Sequence, residues 1–328
     1  MQISNVINNP FIRQNNTQRI HTKQPAITFK SKPNFDTVSF CSRDLLSCSE
    51  DEIIKKVKTS LADERNYLGA GADAEVYKIP DTNYCIRVLY KDEEYNSGIP
   101  DLLNRNKLGL NYNISEKDKI NHVVAKFSRG TIMKFIEGIP VMTPFMSENE
   151  IKENSKNIQE VPVSSFRKLL HQICHAYENN MMFDCNYANL IVNPRNKTIT
   201  AIDFYDMTEG ATIEEVSNPL NHIYSGVTHK YTTTEQKKDA ANKVLRASLE
   251  DLKPDYNSGF DIRNLDFYKF IYRLYDERII ENYKFTKLLV NLFLEMEELK
   301  LHELHGEDVK SLLNGKIKVA KCLIKQLL

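Results

Sequence analysis

Apolar residues recur along this chain with two different periods, and the change of period divides it. From Ser49, the run S-E-D-E is followed by Ile53, Ile54, Val57 and Leu61, one face of a helix behind a capping box. Over 67–92 the period falls to two. Tyr84, Ile86 and Val88 alternate with Cys85, Arg87 and Leu89, which predicts strands. The runs H-V-V-A-K-F and T-I-M-K-F-I-E, within 121–137, predict two more. From Ser164 the helical period returns, with Phe166, Leu169, Leu170, Ile173 and Tyr177 on one face. The runs L-I-V-N and T-I-T-A-I-D-F, separated by P-R-N-K, predict a hairpin. Beyond about residue 234 nearly everything reads as helix, and the Tyr and Phe stripe over 267–275 reads as core. Strands first and helices afterwards predict an α+β fold. No internal repeat is present.

Composition narrows the class. The 328 residues carry 44 Lys+Arg against 44 Asp+Glu, so the electrostatic case for nucleic-acid binding is missing. A hydrophobic content of 41%, with a mean hydropathy of −0.46, suits a globular chain with a sizeable core. No run approaches the roughly 18 apolar residues of a transmembrane helix, and no apolar signal-peptide core opens the sequence. The six cysteines form no C-x-x-C pair, so neither a disulfide framework nor a zinc site is expected, and a reducing compartment fits. Residues 1–35 stand apart. Arg13, Arg19, Lys23, Lys30 and Lys32 lie among Asn and Gln with no acid and no period, which predicts a disordered leader over 1–48.

Three separated pieces carry chemistry. L-G-A-G-A-D-A-E-V-Y places Gly69, Gly71 and Ala74 at the positions of a G-x-G-x-x-G, where small residues let backbone N–H groups approach phosphate oxygens. The strand continuing through Val76 and Tyr77 argues against a dinucleotide-binding turn, which would open a helix. M-F-D-C-N-Y-A-N-L-I-V then places Asp184 five residues before Asn189, and A-I-D-F-Y-D closes a strand with Asp203. One carboxylate to accept a hydroxyl proton, with an amide and a second carboxylate to hold Mg2+ against nucleotide phosphates, is the equipment of kinase-type phosphoryl transfer.

In these pieces the sequence resembles the small effector kinases that enteric bacteria inject through type III secretion, of the OspG and NleH kind. The likeness covers roughly residues 65–275 and includes Ala74 in place of the third glycine, the absence of His-Arg before Asp184, and Tyr205 where the glycine of D-F-G would stand. It implies a bilobal protein-kinase-like fold, with an N-lobe over about 65–137 and a C-lobe over about 139–328. It implies Asp184 as catalytic base, Asn189 and Asp203 as Mg2+ ligands, and Arg87 in C-I-R-V at the place of the phosphate-gripping strand lysine. ATP would meet Gly69, Ala70, Gly71, Ala74, Val76 and Arg87, and its adenine the M-K-F-I-E-G segment at Met133, Lys134 and Ile136. Asp261, in F-D-I-R-N-L-D-F-Y, would brace the catalytic loop. Asp101 is the expected acidic partner of Arg87, with Glu93 and Glu94 as alternatives. Phe183 stands where regulated kinases carry an Arg, and no A-P-E-like run follows Asp203. Both features imply activity without loop phosphorylation.

Rival readings stay open at this level. Arg87 in the lysine's place suits a pseudokinase that binds a host partner, and D-x(4)-N before I-D-F-Y-D also suits a small-molecule phosphotransferase of the aminoglycoside-kinase type. A purely structural helical protein is the third. H-Q-I-C-H sets His171 and His175 one turn apart, but Gln172 replaces the general base that a zinc protease needs. The final K-I-K-V-A-K-C-L-I-K-Q-L-L is a basic amphipathic helix, expected to pack on the preceding helices, with a membrane surface or a host regulatory partner as the alternative. On the effector reading the protein is secreted and acts on a host protein in the host cytoplasm. Deleting residues 2–35 is then expected to leave thermal stability and any kinase activity nearly unchanged while blocking export from a type III-competent bacterium. Undiminished export of the truncated protein, measured in culture supernatants, would sink the leader's role.

Overall fold

In the computed structural model the described residues are 44–71, 73–92, 94–206, 218–251, 267–301 and 307–327. The leader expected over 1–48 lies outside them except for its last residues. There the chain is already packed: Leu45 is buried, and Asp44 accepts a hydrogen bond from the Tyr84 hydroxyl at 2.5 Å. Asp261 also lies outside the described residues.

The capping box is formed as the sequence predicts. Ser49 caps helix α1 (Glu50–Ala62), its side chain accepting from Glu52 N–H while the Glu52 carboxylate answers to the Ser49 backbone. The alternating segments become β1 (Tyr67–Ala70), β2 (Ala74–Lys78), β3 (Tyr84–Leu89), β4 (Val123–Phe127) and β5 (Gly130–Lys134). They join in one antiparallel sheet of order β1-β2-β3-β5-β4. One face of this sheet offers Ile86, Val88, Ala125 and Ile132, and α1 covers it with Ile53, Ile54, Val57 and Leu61. Leu102, on the short α2 (Ile99–Leu103), completes that core. The apolar cluster of the sheet therefore takes in α1, upstream of the N-lobe boundary expected at residue 65. Gly130 has φ 158°, and a Cβ there would lie 2.0 Å from the Arg87 carbonyl oxygen, so only glycine lets β5 approach β3 at that point.

After α3 (Glu116–Ile120), β4 and β5, the strand predicted through Glu137 stops at Lys134, and the chain crosses to the helical half. Gly138, at φ 149°, makes the crossing, since a Cβ would lie 2.5 Å from the Val192 carbonyl oxygen. Beyond it, β6 (Ile139–Pro140), β8 (Leu190–Asn193) and β9 (Thr198–Ala201) form one small sheet. β7 (Met181–Phe183) and β10 (Phe204–Asp206) form another. The predicted hairpin is present, but its second strand ends at Ala201 rather than running on to Asp203.

The remaining elements are α4 (Glu148–Glu160), α5 (Val163–Glu178), α6 (Pro219–Val227), α7 (Thr234–Asp251), α8 (Phe267–Asp276), α9 (Tyr283–Leu301) and α10 (Glu307–Leu327). Phe166, Leu169, Leu170 and Ile173 bury α5 at the centre, and Phe267, Phe270, Ile271 and Leu274 make α8 the core element that its aromatic stripe predicted. The final basic helix, α10, packs through Leu313, Ile317, Ala320 and Ile324 and leaves Lys318 and Lys325 outward. The architecture is thus α+β, strand-rich first and helical afterwards. Among the described residues no helix is long and apolar enough to cross a membrane.

Ile53 is fully buried between α1 and the sheet. Ile53→Ala should destabilise the protein by about 2–5 kcal/mol, the usual cost of such a truncation in a packed core. Urea unfolding checks this, and a loss below about 1 kcal/mol would mean that α1 is only loosely applied to the sheet.

Candidate active site

The loop after β7 is anchored by rings and organised by amides. Phe183, the last residue of β7, is buried with its ring 5.5 Å from that of Phe204. Asp184 follows at once. The Asn186 side chain accepts from Ala188 N–H at 3.1 Å and so starts the tight 3₁₀ turn Tyr187–Asn189. That turn brings Asn189 back onto Asp184, with Nδ2 donating to the Asp184 carbonyl at 3.3 Å and to its carboxylate at 3.1 Å. Among the described residues nothing donates to the Asn189 amide oxygen, which is left to accept from or ligate something else.

Asp203 reaches the same place from β9. Ile202 N–H donates to the Asn189 carbonyl at 2.8 Å, which ties the two loops together directly. Asp203 itself adopts φ 64°, a left-handed conformation that aspartate tolerates better than most residues. Its side chain keeps contact with water at the rim, yet burial by the surrounding protein still raises its pKa above the usual carboxylate range. Arg87 opposes the rise, and the carboxylates of Asp184 and Asp73 add to it. Asp203 thus feels two other carboxylates and one guanidinium at once, an excess of negative charge that favours an additional cation. That charge balance, with the unengaged oxygen of Asn189, fits a hard metal ion such as Mg2+. Among the described residues no ready-made group of three or more His, Cys, Asp or Glu ligands is present, so any such ion would draw further ligands from elsewhere.

Arg87 comes from the middle of β3, where it faces Val76 on β2 and Thr131 on β5. Its Nη2 donates to both carboxylate oxygens of Asp73 at 2.7 Å. This corrects the expectation that Asp101 would be its partner. Asp101 instead holds Lys91 at 2.8 Å, with Arg129 at 4.0 Å. Glu93 lies outside the described residues. The reason is strand alternation: Ile86 and Val88 point into the core shared with α1 and α2, so Arg87 points to the opposite face. Asp101, on α2, is on the wrong side of the sheet, whereas Asp73 overhangs the right one from the β1–β2 turn.

That turn is closed by Gly71 N–H donating to the Ala74 carbonyl at 2.8 Å. A Cβ on Gly69 or Gly71 would meet no atom within 4 Å, so packing does not demand glycine there. Ala70 is exposed, Ala74 buried and Val76 half-buried. Met133 and Lys134 end β5 opposite Cys85 and Tyr84, and Phe135 N–H donates to the Asn83 carbonyl at 2.8 Å. The Lys78 ammonium, its pKa lowered by burial to about 8, sits 3.8 Å from the Phe135 ring centre. Ile136 is half-buried in the linker that follows. The structure thus joins Arg87, Asp184, Asn189 and Asp203 in one cluster, with Asp73 as a member that sequence reasoning missed. Met133, Lys134 and Ile136 line the exit of β5, with no bond to the carboxylates among the described residues.

A cavity of about 400 Å3 opens elsewhere, between α3, α5 and β9, lined in part by Glu116, Lys119, Lys168, His175, Thr198 and Thr200. It shares no residue with the carboxylate cluster, and converging charge rather than this hollow locates the site. His175, at its edge, meets Glu116 at 3.3 Å.

Behind the Asp184 loop, the Tyr177 hydroxyl shares a hydrogen bond with Nδ1 of His222 on α6, and burial lowers the His222 pKa to about 4. The unfolded chain, with an ordinary histidine near 6.5, takes up this proton first. Stability is therefore fully present above about pH 6.5 and lost as pH falls toward 4, by about 2–3 kcal/mol from this residue. Urea unfolding from pH 7 to 4.5 should show that loss reduced in His222→Gln, and identical slopes in both proteins would contradict it.

No protein-family model matches the chain, and no curated protein matches it.

Proposed function

We propose that this chain is an ATP- and Mg2+-dependent kinase of bilobal, protein-kinase-like architecture that phosphorylates a Ser or Thr hydroxyl of a host protein. The convergence of Asp184, Asn189, Asp203 and Arg87 from three distant segments carries the reading. The sheet order β1-β2-β3-β5-β4, the glycine turn beside Arg87, and the bond from Asn189 to Asp184 support it. On this reading the Asp184 carboxylate accepts the proton of the substrate hydroxyl. Asp203 and Asn189 would hold Mg2+, which when bound offsets the negative charge of the phosphates. Arg87 grips a phosphate from the β3 side, and the end of β5 at Met133, Lys134 and Ile136 lies along the nucleotide's base. Secretion by a type III system and action in the host cytoplasm follow from the resemblance to effector kinases. A second reading, a nucleotide- or partner-binding pseudokinase, is favoured by one observation: Asp73 already pairs with Nη2 of Arg87.

Incubating the protein with labelled ATP, Mg2+ and host lysate tests the two. Label should appear on host protein. Asp184→Ala should lower turnover by about 10²–10⁴-fold while keeping nucleotide binding, since a base acts mainly in the transition state. Asp203→Asn, which keeps a residue tolerant of the left-handed backbone, should abolish transfer with the fold intact. Transfer at the parent rate by both variants would remove the site assignment, and nucleotide binding by the parent without transfer would favour the pseudokinase.

A further inference from the structure

The short link that carries Asp203 is gripped on both sides, and one grip is made by a side chain that mimics a strand. Asn121, at the end of α3, donates from Nδ2 to the Phe204 carbonyl at 2.8 Å and accepts the Phe204 N–H on Oδ1 at 2.8 Å. This is the reciprocal pair one peptide makes with another across a ladder, formed here over 83 residues of sequence. On the other side, Ala201 is held in the same reciprocal way by Gln172, through Nε2 to its carbonyl at 2.8 Å and its N–H to Oε1 at 3.1 Å. The His122 ring lies 3.1 Å from the same carbonyl through Nε2. Ile202 is tied to Asn189. Ala201, Ile202 and Phe204 are thus each bonded through the backbone to a partner far along the chain, and Asp203 among them takes the left-handed conformation.

We propose that Asn121 is a positioning residue for Asp203. By fixing the Phe204 backbone it sets the direction in which the Asp203 carboxylate leaves the chain, and hence how well that carboxylate can ligate a divalent cation. This rests on the reading of Asp203 as a metal ligand. The side chain suits the task because only an amide presents a donor and an acceptor at the spacing of a peptide. Aspartate would keep the acceptor for Phe204 N–H but set a second oxygen against the Phe204 carbonyl, and alanine would lose both bonds. Lys117, on the same short helix, pairs with Asp206 and holds the far end of β10 from the same side. A merely structural Asn121 would satisfy a buried backbone pair and nothing more. Its loss would then cost stability without altering metal affinity in the folded protein.

The two roles separate by experiment on the full-length protein. Mn2+ serves as the probe, with its free concentration read by electron paramagnetic resonance in the presence of a non-hydrolysable ATP analogue. Metal-free melting temperature is measured alongside. The parent should bind Mn2+ saturably, and Asn121→Ala and Asn121→Asp should weaken that binding at least 10-fold, the range seen when groups that orient metal ligands are removed. Melting should fall by only a few degrees. Asn121→Asp keeps one bond to Phe204 and decides the matter if the alanine variant does not fold. Folded variants that bind Mn2+ as the parent does would overturn the inference and leave the reading of Asp203 intact. A parent that binds no Mn2+ with nucleotide would overturn that reading, and the inference with it.

Discussion

Ile120 is buried in the apolar cluster of the helical half, and a few residues later Val124, Ala125 and Phe127 belong to the cluster of the strand-rich half. The chain passes from one core to the other through a corner only two residues long, Asn121 and His122, with His122 at φ 61°. Burying an isoleucine contributes about 1.5–3 kcal/mol, enough to hold such a corner in place. The rest of the site depends on this insertion. Arg87 and Asp73 come from the first half, Asp184, Asn189 and Asp203 from the second, and the polar side chains of the corner reach across to the backbone that carries Asp203.

Magnitudes separate the rigid part of the site from the yielding part. The link around Asp203 is held by backbone bonds to Asn121, Gln172 and Asn189, each contributing about 0.5–1.5 kcal/mol and acting together over four residues. That sum offsets the roughly 1–3 kcal/mol that a left-handed, non-glycine residue costs. The pair between Arg87 and Asp73 is of another kind. The Asp73 side chain is 64% exposed, and ion pairs in water contribute about 0–1 kcal/mol. The β9–β10 link is therefore the fixed wall of the site, and the glycine turn is its loose one.

What the sequence made legible follows the range of each interaction. The helices α1, α5 and α8 were readable because their apolar stripes are dense. α4 was not, because its buried face holds only Ile151 and Ile158 among apolar residues and is completed by Asn154 and Ser155. Asn154 spends its amide on the carbonyls of Pro140 and Val141, a contact with no local signature. The Asp184–Asn189 spacing was readable because one turn of chain makes it. The roles of Asn121 and Gln172 were hidden by sequence separation, since their partners lie far along the chain. The partner of Arg87 lay between these cases. Alternation on β3 already places its side chain opposite Ile86 and Val88, and that parity alone excludes an acid on the helices packed beneath.

The pairing of Asp73 with Arg87 makes the β1–β2 turn a tethered counter-ion. Asp73 is bonded through Nη2 alone, so an anion at the other nitrogens of that guanidinium would share it with a carboxylate already at bonding distance. Two negative groups on one guanidinium repel each other, and the repulsion grows with the charge of the newcomer. The charge of a ligand, and not its shape alone, would then set the strain it puts on the β1–β2 turn.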